Sequence, residues 1–216
     1  MRLLLPISLL FFLLVSNVTT AALAQDGSRG SNTGGKSSAI TDRRETIKET
    51  IKTRREEVKA RAEERRVELK TKLAEFKDKK KAEIAERIDK KLTSVNEKRT
   101  TQMSETITKM NEMVTKLETR IAAARTAGKD VTGAQTTLDT AKTAISTASS
   151  AVTAQAGKDY GTTVSSETTA KTELKTARDS LNTDLKATHS QLVAAKQALA
   201  KAISSVKSLG GDNKGE

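Results

Sequence analysis

Apolar residues recur along most of this chain at the spacing of an α-helix, and they do so under two periods. Ile40, Ile51, Ala62, Leu73, Ile84 and Val95 stand eleven residues apart, with Ile47, Val58 and Leu69 interleaved seven residues after the first three. Eleven residues come close to a whole number of helical turns, so this stripe stays straight or coils slightly right-handed. From Met103 the steps alternate between four and three, through Ile107, Met110, Val114, Leu117, Ile121 and Ala124. That is the seam of a left-handed coiled coil. Val131, Ala134, Leu138, Ala141, Ile145, Ala148 and Val152 take the seam up again. Leu174, Ala177, Leu181, Leu185, Leu192, Ala195, Leu199, Ala202 and Val206 do so a third time, with one shift at the four-residue step from Leu181 to Leu185.

Helix breakers set the bounds. Neither Gly nor Pro occurs from Lys36 to Ala127 or from Thr162 to Leu209, while Gly128, Gly133, Gly157 and Gly161 flank two interruptions. The pattern predicts three helices, about Asp42–Arg125, Val131–Ala156 and Thr163–Leu209. Asp42 is the expected N-cap of the first, with Glu45 as its capping-box partner. The polar stretch Thr93–Gln102 separates the two periods and marks a kink or a break. Without a break the first helix would run roughly 125 Å at 1.5 Å per residue. The second is heavy in threonine, a poor helix former, and so depends on its neighbours.

Ala127-Gly128-Lys129-Asp130 and Ala156-Gly157-Lys158-Asp159 are the same tetrapeptide, each lying between seams. Glycine can end a helix in the left-handed conformation and aspartate can cap the next. Both therefore read as hairpin turns between antiparallel helices. The expected fold is all-α, a long charged helix followed by antiparallel helical hairpins in a three-helix, coiled-coil-like bundle. Residues 100–208, with this repeated tetrapeptide and these alanine-rich seams, resemble a loose group of exported bacterial coiled-coil and helical-hairpin proteins. The resemblance implies no particular activity.

Counting helix lengths exposes a mismatch. The third helix would outrun the second by roughly 20 residues or 30 Å. That leaves Leu192, Leu199, Ile203 and Val206 uncovered at one end and Ile47, Val58, Leu69 and Leu73 at the other. Exposed seams of this kind imply self-association or another protein partner. A break at Thr93–Gln102 would instead fold the first arm back as a four-helix monomer. Self-association is the leading expectation, because the eleven-residue stripe and the heptads differ in period.

The N-terminus changes the picture of where this happens. Met1-Arg2 precedes an apolar run from Leu3 to Val15, and Ala22-Leu23-Ala24 offers small residues where a signal peptidase reads. Residues 1–24 read as a cleaved secretory signal, with a retained anchor as the alternative, since the run is shorter than the about 20 residues a bilayer needs. An exported chain of the periplasm, cell surface or exterior is expected. It contains no cysteine, which excludes lipid anchoring through one and any disulfide. Residues 25–41 read as a flexible Gly/Ser linker, 42–100 as a charged basic helical arm, 101–209 as the helical-hairpin region and 210–216 as a disordered tail.

The formal net charge is +12, and residues 41–100 hold 21 Lys/Arg against 14 Asp/Glu. Such an arm suits an anionic membrane or polymer surface. Nucleic acid is not expected, because only Phe76 and Tyr160 remain beyond the signal to stack on bases. Within the arm Glu57–Arg61, Glu68–Lys72, Glu75–Lys79, Glu83–Arg87 and Glu86–Lys90 place an acid four residues before a base, a pairing that supports a solvated helix.

No motif names a reaction. Gly30-Ser31-Asn32-Thr33-Gly34-Gly35-Lys36-Ser37 matches the P-loop pattern, but no strand precedes it to hold a phosphate cradle, and it reads as linker. His189, the only histidine, stands among Lys186, Thr188 and Ser190 with no cysteine or second histidine to share a metal. It reads as an exposed helical residue. Met103, Met110 and Met113 lie on or beside the seam and read as adaptable packing. Neither catalytic, cofactor-binding nor metal-binding residues are expected, nor a small-molecule substrate. The chain reads as a non-enzymatic spacer, scaffold or interaction module, alternatively a binder of anionic surfaces through residues 42–100 or a periplasmic holdase.

Overall fold

The computed structural model describes the backbone of residues 34–210 and the side chains of residues 45–210. The expected signal, the linker up to residue 33 and the tail from residue 211 lie outside the described residues. Four helices make up the rest, α1 (Gly34–Ala74), α2 (Lys79–Thr126), α3 (Thr132–Ala156) and α4 (Ala170–Ser208), in an all-α bundle.

The start of the first helix differs from the sequence pattern. Residues 34–41, expected as linker, are helical, so Asp42 lies inside α1 rather than at its N-cap.

The break falls elsewhere too. Thr93–Gln102 is uninterrupted helix within α2, and the chain turns at Glu75–Asp78 instead, without a glycine or proline. Two tertiary contacts and one local cap make this turn. Phe76 is buried beside Leu69, Leu73, Ala85 and Leu174. The Asp78 side chain caps α2, accepting from the backbone N–H of Lys80 and Lys81 at 3.0 and 3.2 Å. Glu167, from the far side of the molecule, accepts from the Lys77 N–H at 2.9 Å. Neither the buried ring nor the distant carboxylate has a local sequence signature.

The turn folds α1 back along α2 and α3. Ile51, Val58, Ala62, Leu69 and Leu73 of the eleven-residue stripe are buried. The stripe does not survive the turn, since Ile84 is 44% exposed. The buried face of α2 is instead Ala85, Asp89, Leu92, Asn96, Thr100, Met103, Ile107, Met110, Val114, Leu117 and Ile121. These steps alternate between four and three apart from one extra four at Asn96–Thr100, so the seam runs through the stretch expected to interrupt it.

The first tetrapeptide forms the expected hairpin. Gly128 has φ +76°, the left-handed region, and Asp130 accepts from the Thr132 N–H at 2.9 Å. Leu117 and Leu138, on the two sides of this turn, share the main core cluster. The second tetrapeptide ends α3 but starts no helix, since α4 begins at Ala170 rather than Thr163. Residues 157–169 run down the bundle beyond the end of α3 and bury Val164 among Leu69, Leu73, Phe76, Ala85, Ala170 and Leu174. By the 1.5 Å rise α3 spans about 38 Å and α4 about 58 Å, so this segment fills the place that the shorter helix leaves.

The pairing of α3 with α4 is the most extensive in the molecule. Ala134, Ala141 and Ala148 of α3 and Ala195 and Ala202 of α4 are buried in it, and side chains this small let helix backbones approach closely. The uncovered seams expected from helix counting are covered. Leu192, Leu199 and Val206 are buried in one cluster with the seam residues of α2 and α3, and Val58, Leu69 and Leu73 are also buried. The premise for self-association through those residues is therefore gone. Only Ile203 remains at the surface, 37% exposed.

Two measurements check this packing. Lys59 Nζ and Glu97 Oε1 are 2.9 Å apart across α1 and α2. A zero-length carbodiimide is expected to couple Lys59 to Glu97 within one chain, seen as a crosslinked peptide pair from protein without a doubled mass. Leu69→Ala, at a site with no solvent exposure, is expected to lower unfolding free energy by about 2–5 kcal/mol in urea titration.

Candidate functional site

The chemistry of this chain concentrates where α1, α2 and the segment after α3 meet. On α1 arginine stands four residues after Ile51 and three and four after Ala62, as Arg55 and then Arg65 and Arg66, all partly buried. Directly opposite, α2 presents Asp89, whose side chain has no exposure to solvent.

Asp89 takes one arginine on each oxygen. Oδ1 pairs with Arg65 Nη1, and Oδ2 accepts from Arg66 Nε at 2.9 Å. Arg65 also reaches Asp159 with two parallel bonds, Nε to Oδ2 at 3.3 Å and Nη2 to Oδ1 at 3.2 Å. Two guanidinium groups and two carboxylates thus balance in charge. Burial alone pulls the Arg65 pKa down. The hydrogen bonds and charges of Asp159 and Asp89 together outweigh that pull and raise it. Arg55, whose Nη2 is 3.3 Å from Thr100 Oγ1, is instead lowered by burial, with Glu97 opposing.

Asp159 is also shaped by its own turn, accepting from the Gly161 N–H at 2.9 Å. Gly161 has a steric reason to be glycine, because a Cβ built there would coincide with the Arg65 guanidinium. Arg61 anchors the same segment by donating to the Gly157 carbonyl at 3.2 Å.

A second polar group continues toward α4. Asn96 Nδ2 donates to the carbonyls of Gln155 and Lys158 at 3.0 and 3.1 Å, and Gln155 Nε2 donates to Asn96 Oδ1 at 2.9 Å. Gln155 Nε2 also donates to the Tyr160 hydroxyl at 2.8 Å, which in turn donates to Asp184 Oδ2 at 2.6 Å. Lys158 Nζ lies 2.8 Å from the same oxygen. The hydrogen bonds from Lys158 and Tyr160 hold the Asp184 carboxyl below the usual aspartate range. Burial, reinforced by Asp184, pushes the Tyr160 hydroxyl well above the usual tyrosine range.

In this network Asp89, Asp159 and Asp184 are each engaged by a cation or a hydroxyl. Among the described residues no group of His, Asp and Glu is placed to hold a metal, and no helix is long and apolar enough to cross a membrane. His189 is exposed on α4. Of the P-loop-like segment, Gly34–Ser37 form the first residues of α1 and the remainder lies outside the described residues.

Of the five acid–base pairs read along the arm, Glu68–Lys72 at 3.7 Å and Glu86–Lys90 at 2.7 Å form. Glu57 meets Arg54 instead, and Lys79 Nζ goes to the Ala74 carbonyl as the chain turns. Met103 and Met110 are core residues, whereas Met113 is 38% exposed. The buried polar residues were not singled out by the sequence pattern. Stepping the seam back from Met103 by three and then four would have reached Thr100 and Asn96, and a second step of four followed by three reaches Leu92 and Asp89.

Comparison with known proteins finds no matching family model, no matching characterised protein and no matching solved structure.

Three outcomes are expected here. Asp89→Ala takes from Arg66 its carboxylate and from Arg65 one of two, and is expected to cost about 3–5 kcal/mol of stability in urea titration. Gly161→Ala should destabilise the protein in the presence of Arg65 and be nearly neutral in an Arg65→Ala background, a coupling that a double-mutant cycle reads directly. Because the Asp184 pKa is lowered by folding, its contribution is fully present above the ordinary aspartate pKa of about 3.9 and is lost as pH falls through the lower, folded value. The stability gap between wild type and Asp184→Asn should therefore narrow only below about pH 3.9.

Proposed function

We propose that the chain is a non-enzymatic exported protein of the cell envelope or exterior, serving as spacer, scaffold or interaction module. The observation that carries this reading is the charge-balanced polar network at the centre of the bundle. It ties α1, α2, α4 and residues 157–161 together and leaves no convergent reactive groups. The hollows on the surface are shallow. One runs along the exposed side of α1 from Glu45 to Glu57, the other along α3 from Thr136 to Ala144. At 1.5 Å per residue α2 spans about 72 Å, a length suited to holding two things apart.

The two other readings draw less support. Anionic-surface binding through residues 42–100 would rest on charge alone, because the apolar stripe of that region lies against α2. A holdase would use an open apolar cleft, and the large exposed apolar side chains of the described residues are few and divided among three helices, Val67 on α1, Ile84 and Met113 on α2 and Ile203 on α4.

Export is tested in intact cells with a membrane-impermeant, amine-reactive crosslinker, for which the many exposed lysines are targets. The chain is expected to react before lysis, in adducts with envelope components, and its N-terminus to begin at Gln25. Reaction only after lysis, with Met1 retained, would remove the compartment on which this reading stands.

A further inference from the structure

The basic excess of the sequence lies in residues 41–100, but the fold uses much of it internally. Arg65 and Arg66 are taken by Asp89 and Asp159, Lys59 by Glu97, Lys81 by Glu167 and Lys90 by Glu86. The half of the bundle nearer Gly128 is different. From Leu185 to Leu209, α4 carries Lys186, Lys196, Lys201 and Lys207, all exposed, and no aspartate or glutamate.

Helix register shows what these cations surround. Ala85 shares a cluster with Leu174, and Leu92 with Leu181, so α2 and α4 run parallel. Val95 and Leu185 pack around the second of these clusters from the two helices. Met113 lies 18 residues beyond Val95 and Ile203 lies 18 beyond Leu185, which is five whole turns of about 3.6 residues on each helix. Met113 and Ile203 therefore come level on one edge of the α2–α4 seam, 38% and 37% exposed.

At about 100° per residue, Lys109 and Arg120 stand within about 40° of Met113 around α2. Lys196 and Lys207 stand within about 40° of Ile203 around α4. All four are exposed. The nearest α2 carboxylates, Glu105 and Glu112, project about 80–100° away from Met113. Glu118 turns to α3, where it meets Lys142 at 2.7 Å. Two apolar tips are thus framed by four cations with no anion between them.

We propose that this edge docks on an anionic lipid bilayer, with the chain lying on the surface rather than crossing it. Lysine and arginine stems reach the headgroups, while Met113 and Ile203 enter the boundary between headgroups and acyl chains. Two parallel helices offer a flat face, which suits a surface better than a groove suits a peptide. A nucleic acid is not the occupant, because Phe76 and Tyr160, the aromatic rings among the described residues, are both buried and do not offer a face for stacking. This goes beyond the spacer reading, and its failure would leave that reading intact, since every residue involved lies outside the central network.

Flotation with vesicles of two parts phosphatidylcholine to one part phosphatidylglycerol tests the proposal. The wild-type protein is expected to float with these vesicles and not with phosphatidylcholine alone, and to be released by salt, which screens exposed charges. Lys196→Glu with Lys207→Glu should weaken binding by at least about thirtyfold, the scale of losing two basic residues near a membrane surface. Lys77→Glu with Lys80→Glu, the same charge change at the opposite end, should leave it nearly unchanged. Met113→Ser with Ile203→Ser should weaken vesicle binding and leave binding to soluble polyphosphate unaltered. Urea midpoints equal to that of the wild type show that each variant keeps the fold. No flotation of the wild type at low salt, or equal losses from the two charge-reversal pairs, overturns the proposal. Vesicle binding indifferent to the Met113 and Ile203 changes also overturns it, and leaves a soluble polyanion as the ligand.

Discussion

A carboxylate without solvent exposure in the middle of a helical bundle is tolerable only where cations come to it, and Asp89 requires α1 to bring two. Apolar seams by themselves tolerate sliding, because one leucine replaces another when a helix shifts by a turn. Such a shift moves α1 by about 5.4 Å and leaves Asp89 without a partner. Arg65 fixes a second coordinate by holding Asp159, so the position of α1 and the path of the chain after α3 are set together. The glycine at 161 belongs to the same constraint, since the guanidinium occupies the space of its missing side chain. The Arg–Asp group thus acts as a registry device within an otherwise repetitive core.

Much of the architecture was legible in the sequence because it follows from period and breakers. The heptad seams, the hairpin at Gly128 and the burial of Ile51, Ala62 and Leu73 all follow from residues a few positions apart. The turn at Glu75–Asp78 was not legible, because what stabilises it comes from Phe76 packing and from Glu167, ninety residues away. Thr93–Gln102 looked like a boundary for the opposite reason. Asn96 and Thr100 are polar, yet they are seam residues whose partners are Gln155 and Arg55. Charged and amide side chains on a helix normally signal the solvent face, so a polar layer buried between helices is masked by its own composition. The repeated tetrapeptide makes the point most sharply. Asp130 bonds the start of α3, while the identical Asp159 is taken by Arg65 and caps nothing.

The distribution of charge follows the same logic. Where acids and bases are dense, in α1 and the first half of α2, side chains find one another along and between the helices. The second half of α4 has cations without acids in the same stretch. A surface potential is thus set less by where the basic residues are most numerous than by where their counter-charges are missing.

The segment between α3 and α4 has a further consequence, for the seating of α1. Val164 is buried in one cluster with Leu69 and Leu73 of α1 and Leu174 of α4, so residues 157–169 bridge α1 and α4 in that half of the bundle. Among the described residues α1 and α4 do not pack against each other directly. In that half α1 therefore rests on residues 157–169 as well as on helices, and its seat there is complete only with that segment in place.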